Sequence, residues 1–135
     1  MEEWRLLDMD ASDAYTNMAI DEAILLGVAH GYSKNTIRFF RWKPSAVSIG
    51  YFQSIMDEVD LKECRRLGVD VVRRITGGGA VYHDYEGELT YSIVLPENYR
   101  IIPNDLIESF KVLCKGIIIG LNRLGVKVEF APIND

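Results

Sequence analysis

Proline is scarce in this chain, cysteine is scarcer, and no apolar run is long. With 4 prolines and 2 cysteines in 135 residues, the composition is neither that of a proline-rich linker nor that of a disulfide scaffold. Cys64 and Cys114 lie in segments with helical patterning and outside any Cys-x-x-Cys spacing. That placement points to small buried thiols in a reducing compartment and away from zinc. No apolar stretch approaches the ~20 residues that cross a bilayer, and the start Met1-Glu2-Glu3-Trp4-Arg5 lacks signal-peptide character. Positive charge is also in deficit, with 20 acidic against 15 basic residues and a net charge of −5. These absences predict a cytoplasmic chain with no membrane and no nucleic acid among its partners.

What is present suits a folded domain. Hydrophobic residues make up 48% of the chain and the mean hydropathy is +0.01. A chain of this length fits one domain and buries roughly two thirds of its unfolded surface.

Patterning predicts a short strand over Trp4 to Leu7, then a helix opened by Ser12 or Asp13 and closed near His30 by Gly31. Ala14, Met18, Leu25 and Val28 form its apolar face, with Asp21 near the middle. Asp21 is either half exposed or a buried carboxylate accepting backbone N–H bonds. Thr36 to Trp42 and Ala46 to Gly50 read as strands around a Lys43-Pro44-Ser45 turn. Asp60 and Glu63 make a capping-box pattern for a short helix ended by Gly68, and Val69 to Arg73 reads as the next strand. Ala80 to His83 and Leu89 to Leu95 are expected to pair as a hairpin around Asp84-Tyr85-Glu86-Gly87. A helix follows from Asn104 to Leu124, with Leu106, Phe110, Leu113, Ile117, Leu121 and Leu124 as its core stripe. Val126 to Phe130 is the last expected strand. The order predicts an α+β fold with helices packed on a mixed, largely antiparallel sheet.

The most informative run is Arg73-Arg74-Ile75-Thr76-Gly77-Gly78-Gly79-Ala80-Val81-Tyr82-His83-Asp84. No Gly-Lys-Ser/Thr follows the glycines, and no Gly-x-Gly-x-x-Gly is present, so neither a Walker loop nor a Rossmann turn fits. Ala80-Val81-Tyr82 continues as strand. The glycines therefore lie between strands, where successive N–H groups can form an anion-binding nest supported by the neighbouring arginines. Arg73 and Arg74 alternate in direction along a strand, so only one is expected to face a site beside the sheet.

This run resembles the signature of lipoate–protein ligase A and its relatives in the biotin/lipoate ligase superfamily. Asn17-Met18-Ala19-Ile20-Asp21-Glu22-Ala23, Ser48-Ile49-Gly50-Tyr51-Phe52-Gln53, Glu88-Leu89-Thr90-Tyr91-Ser92 and the terminal Asn134-Asp135 extend the similarity along the chain. The resemblance implies the fold of biotin–protein ligases and the class II aminoacyl-tRNA synthetase core. It implies activation of lipoate by Mg-ATP to lipoyl-AMP, followed by transfer to a lysine of an acceptor domain. Acceptors would be the lipoyl domain of a 2-oxoacid dehydrogenase E2 or the glycine cleavage H protein, with a second ligase polypeptide as a further partner. By motif position, Arg74, Gly79, Ala80, Val81 and Tyr82 would contact ATP or the adenylate. Ile49, Gly50, Arg73, Gly77, Gly78 and His83 would hold lipoate, and Asn134 and Asp135 would sit near phosphate or Mg.

The family also places a lysine shortly after the Asn-Asp pair, and no lysine of this chain has that context. Residues 1–135 are therefore expected to be the N-terminal portion of an incomplete catalytic domain. Two other functions fit the same motifs. One is an ATP-independent octanoyl or lipoyl transferase that works through a cysteine outside this chain. The other is a non-catalytic substrate-binding subunit of a split ligase.

Overall fold

A computed structural model describes residues 3–132. The chain forms two units, one reaching to Leu95 and one beginning at Pro96.

Among the described residues, the first unit holds six strands and three helices. β1 (Arg5–Ser12), β2 (Thr36–Trp42) and β6 (Thr90–Val94) make one sheet in the order β1-β2-β6; β3 (Ala46–Ile49), β4 (Asp70–Arg73) and β5 (Val81–His83) make another in the order β4-β3-β5. Each sheet joins one parallel to one antiparallel pair: β1 with β2 and β3 with β4 run parallel, β2 with β6 and β3 with β5 antiparallel. The mixed α+β architecture expected from the sequence is present.

β2 shows why these residues form a central strand. Thr36, Arg38, Phe40 and Trp42 alternate with more exposed neighbours and are all buried. Ala14, Phe40, Trp42 and Ala46 form the apolar core, with Met9, Met18 and Val72 packed against it.

α1 (Ala14–Ala29) is capped by Asp13, whose carboxylate accepts from the Thr16 amide at 2.9 Å and the Thr16 hydroxyl at 2.7 Å. Those donors hold its carboxyl below the usual carboxylate range. The Ala14 amide donates to Asp70 of β4 at 3.1 Å, which places a carboxylate at the helix N-terminus.

The buried face of α1 matches the predicted stripe only in part: Ala14 and Val28 are buried and Met18 packs against the core, but Leu25 does not join them. Ala14, Asn17, Ile24 and Val28 are buried, whereas Leu25 is exposed. Asn17 and Asp21 occupy the middle of that inner face. Polar residues there break the apolar period and shift its apparent direction.

Asp21 meets a guanidinium rather than backbone amides. Its Oδ1 accepts from Arg38 Nη1 at 2.7 Å and from Ser92 Oγ at 3.0 Å. Arg38 is itself fully buried, with Nη2 on Asn17 Oδ1 at 2.6 Å and its guanidinium 3.8 Å from the Phe40 ring centroid.

The predicted hairpin does not form. β5 pairs with β3 and β6 pairs with β2, in different sheets. The turn itself is present, with Asp84 Oδ2 accepting from the Gly87 amide at 2.8 Å. Turn chemistry sets a reversal but does not choose the edge that each strand joins.

α2 (Ile55–Glu58) is too short to show a period and escaped prediction. α3 (Leu61–Leu67) has the predicted ends: Asp60 Oδ1 accepts from the Lys62 and Glu63 amides, both at 3.0 Å, and Gly68 closes it at φ 67°. Glu63 does not complete a capping box; it pairs with Arg66 instead. Asp60→Ala should cost about 1 kcal/mol by removing the cap, measured by chemical denaturation.

The second unit contains α4 (Leu106–Arg123), capped by Asp105. The predicted stripe is helical, but it is not core: no α4 residue is buried, and Leu106, Phe110 and Leu124 are exposed. Helical periodicity marks an apolar face without supplying its cover. No strand forms over 126–130. Among the described residues, no helix is long and apolar enough to cross a membrane.

Candidate functional site

The glycine run joins β4 to β5, two strands that flank β3. The β3–β4 ladder extends into the loop, since Arg74 N donates to Ile49 O at 3.0 Å and Tyr51 N donates to Thr76 O at 2.9 Å. The chain after β3 therefore runs directly beside the glycines. Contact is closest at Gly50, where a Cβ would fall 2.0 Å from the Gly78 carbonyl oxygen. Gly78 has φ 98°, in the left-handed region that favours glycine.

The two arginines split their work, as alternation along a strand requires. Arg73 Nη1 donates to the carbonyls of Gly50 at 3.0 Å, Tyr51 at 2.9 Å and Gln53 at 2.7 Å. Gln53 Oε1 accepts from the Gly50 amide at 2.8 Å, so the 50–53 turn is tied from two directions. Arg74 turns the other way. Its Nη2 donates to Gly77 O at 2.9 Å and Gly79 O at 2.7 Å, while Nη1 reaches Ser48 O at 3.1 Å and Ser48 Oγ at 3.3 Å. Burial lowers the Arg74 guanidinium below its ordinary value.

This fork decides the polarity of the loop. Carbonyls of Gly77 and Gly79 are drawn toward Arg74, and the N–H groups of Gly77, Gly78 and Gly79 find no protein acceptor among the described residues. Exposed backbone donors above a guanidinium make a nest for an anion or a developing oxyanion. Arg74→Lys keeps the charge but loses the planar fork. It should lower hydrogen-exchange protection of the Tyr51 amide, which bonds into the loop, by about tenfold.

The remaining predicted residues occupy distinct places. Gly77, Gly78, Gly79, Ala80, Val81 and Tyr82 are exposed around the loop, Ile49 is fully buried, and Gly50 is buried beneath the glycines. His83 is 7% exposed, too little for a free catalytic imidazole. Its Nε2 lies 2.8 Å from Ser48 Oγ and its Nδ1 lies 2.8 Å from Glu88 Oε1, while its ring stacks on Trp42 with centroids 4.1 Å apart. Asn134 and Asp135 lie outside the described residues. Among the described residues there is no cluster of His, Cys, Asp and Glu suited to a metal ion.

Sequence reasoning missed Ser48, Glu88, Thr90, Trp42 and Arg38. A signal existed in Glu88-Leu89-Thr90-Tyr91-Ser92, where polar residues recur at every second position. Those positions face inward: Thr90 Oγ1 bonds Glu88 and Trp42, and Ser92 bonds Asp21.

Comparison with known proteins bears on the chemistry. The family described as the lipoyl protein ligase A/B catalytic domain matches residues 13–135. Proteins named octanoyltransferase LipM are similar over nearly the whole chain. That of Moorella thermoacetica is 47% identical over 96% of this chain and 47% of its own length. That of Clostridioides difficile is 43% identical over 96% of this chain and 47% of its own. The chain thus spans about half the length of these relatives. Among solved structures, a bipartite lipoate protein ligase studied with its E2 lipoyl domain from Thermoplasma acidophilum superposes with TM-score 0.83. It is 34% identical, covering 100% of this chain and 51% of that one. A lipoate-protein ligase A bound with ATP gives TM-score 0.81 at 36% identity, covering 100% and 52%.

These findings correct the expected activity. The closer resemblance in sequence is to octanoyltransferases, at 39–47% identity against 34–36% for the two ligases. The ATP-dependent, adenylate-forming ligase expected from the glycine motif is overturned, and with it ATP and Mg as cofactors. The motif had indicated the superfamily; it did not resolve which acyl donor is used.

Proposed function

The chain belongs to the lipoyl protein ligase A/B catalytic-domain family, and from that premise we propose that it is part of an octanoyltransferase. The substrate is an octanoyl thioester on a carrier, and the product is an octanoyl group on the lysine of a lipoyl-acceptor domain. A thioester is already activated, so the reaction needs no adenylate. Similarity to proteins named octanoyltransferase over 95–98% of the chain is the observation that carries this reading.

The glycine loop suits the chemistry. Acyl transfer passes through a tetrahedral species whose carbonyl oxygen gains negative charge. Backbone N–H groups of Gly78 and Ala80 are the donors placed to receive it. Arg74 holds those donors outward by binding the carbonyls of the same planar peptide units, those of Gly77 and Gly79. Exposed Val81 and Tyr82 extend an apolar and aromatic surface beside the loop for the acyl chain. Neither Cys64 nor Cys114 pairs with an imidazole among the described residues, so no nucleophile is assigned within 3–132. The acceptor is proposed to be a lipoyl domain of the E2 or H-protein type, the first being the partner named for the Thermoplasma enzyme.

Octanoate-dependent or lipoate-dependent exchange of pyrophosphate into ATP tests the absence of adenylation. None is expected from the natural polypeptide. Exchange at a rate matching turnover would restore the adenylate and remove this reading.

A further inference from the structure

A chain of hydrogen bonds runs from the core to the glycine loop, and its two ends fix the direction of every bond between them. Trp42 Nε1–H can only donate, and it donates to Thr90 Oγ1 at 2.7 Å. The Thr90 hydroxyl therefore gives its own proton to Glu88 Oε1, at 2.5 Å. The same carboxylate oxygen lies 2.8 Å from His83 Nδ1. A carboxylate accepts, so Nδ1 carries a proton. At the other end Arg74 can only donate, and its Nη1 lies 3.3 Å from Ser48 Oγ. Ser48 then turns its single proton toward His83 Nε2, 2.8 Å away. All the donors converge on Glu88.

Serine, imidazole and carboxylate in this order activate the nucleophile of serine hydrolases. Burial excludes that role here. Ser48 is 2% exposed, its hydroxyl is covered by Arg74, and its proton is committed to a ring that is itself 7% exposed. No acyl carbon can reach this oxygen without dismantling the loop.

The hydrogen-bond pattern suits a neutral ring. An imidazolium would leave Ser48 Oγ facing two donors and its own proton without an acceptor, at a cost that buried hydroxyls rarely bear. The pairing register explains how the parts meet. Ser48 lies opposite Val81 in the β3–β5 ladder, which makes His83 its diagonal neighbour on the same face. The 84–89 connector then crosses to the other sheet and brings Glu88 back under the ring.

We propose that Ser48 and Glu88 are positioning residues that lock His83 as the neutral Nδ1–H tautomer and use it as a strut between Trp42 and the Arg74-held glycine loop. Glu88 sets the tautomer. Ser48 joins the ring to Arg74, and Arg74 sets the outward turn of the loop amides. The consequence for turnover rests on the acyl-transfer reading above; the protonation of the ring does not.

Nitrogen-15 spectra of the imidazoles test it in the natural polypeptide, where His83→Gln identifies the ring by the signals it removes. At pH values where the ring is neutral, His83 should show a protonated Nδ1 and a bare, hydrogen-bonded Nε2. Glu88→Gln keeps an accepting oxygen and should retain that pattern, whereas Glu88→Leu should give Nε2–H or a mixture. Octanoyl transfer should fall on the order of tenfold in kcat for Glu88→Leu and recover in Glu88→Gln. A wild-type ring protonated at Nε2, or an unchanged tautomer in Glu88→Leu, would overturn the assignment. If Glu88→Leu does not fold, the wild-type spectrum alone decides. A lost transferase activity with the expected spectrum would sink only the proposed function.

Discussion

Gly50→Ala should reduce octanoyl transfer by about a hundredfold or more, although Gly50 contributes no functional group. Its added Cβ would sit 2.0 Å from Gly78 O, 3.0 Å from Gly78 C and 3.2 Å from Gly77 C. Both partners are backbone, so no side chain can rotate away. The end of β3 and the glycine loop must part by roughly an ångström, a displacement that costs on the order of a hundredfold when reacting groups are misaligned. Strain should also lower stability by about 1–3 kcal/mol. Gly77→Ala and Gly79→Ala make the contrast, because a Cβ at either meets nothing within 4 Å. Their stability should change by no more than about 0.5 kcal/mol. Thermal or urea unfolding of the three variants, beside initial rates of transfer, checks the ordering. Equal effects at 50, 77 and 79 would mean that the close approach is not what matters.

Asp21→Ala should destabilise the first unit by about 3–5 kcal/mol, a large share of the roughly 5–15 kcal/mol that holds an ordinary domain folded. The loss comes from what remains. Arg38 is fully buried, and Asp21 is the carboxylate that pairs with it, at 2.7 Å. Asn17 contributes its carbonyl at 3.1 Å and its Oδ1 at 2.6 Å, and Met9 Sδ lies 3.3 Å from Nε, but none of these carries a charge. Removing Asp21 strands a guanidinium in the core. Asp21→Asn preserves an oxygen toward Arg38 and Ser92 and should cost less. Arg38→Met removes the cation while filling much of its volume. In the Asp21→Ala background it should recover part of the lost stability, because the pair is then replaced rather than broken. A purely additive double mutant, measured by denaturant unfolding, would show that the two residues are not coupled.

Arg38 also marks where the sequence stopped being legible. Strand β2 was visible through its alternation, and its bounds Thr36–Trp42 match the prediction. An arginine at one of its inward positions reads as an exception until Asp21 and Asn17 are found opposite it. The inner face of α1 was legible only in part for the same reason, since Asn17 and Asp21 interrupt the apolar spacing. Local signals with local causes did well: Asp13 and Asp60 cap helices, and Gly31 and Gly68 take positive φ. Longer-range choices did not. The turn at Asp84–Gly87 is real, yet it feeds two sheets because pairing depends on residues far away in the chain, 37 apart for Ala46↔His83 and 50 apart for Phe40↔Thr90.

At the site, the glycine run and its place between two strands were plain from the residues. The fork of Arg74 was half legible: alternation required that the two arginines diverge, but not that Arg74 would hold the loop's own carbonyls. The relay through Ser48, His83 and Glu88 was not legible, because its members come from β3, β5 and a connector between sheets. Nor could the glycine motif separate two activities that share an acyl group and an acceptor lysine. They differ in how the acyl group arrives.

That difference is what one assay should resolve. The natural polypeptide is given a lipoyl domain and one of two donors: octanoyl carrier-protein thioester without nucleotide, or free octanoate with ATP and Mg²⁺. Intact mass of the lipoyl domain is the readout. One octanoyl group should appear on its lysine with the thioester alone and not with octanoate and ATP. Acylation only from octanoate with ATP would contradict the transferase account outright.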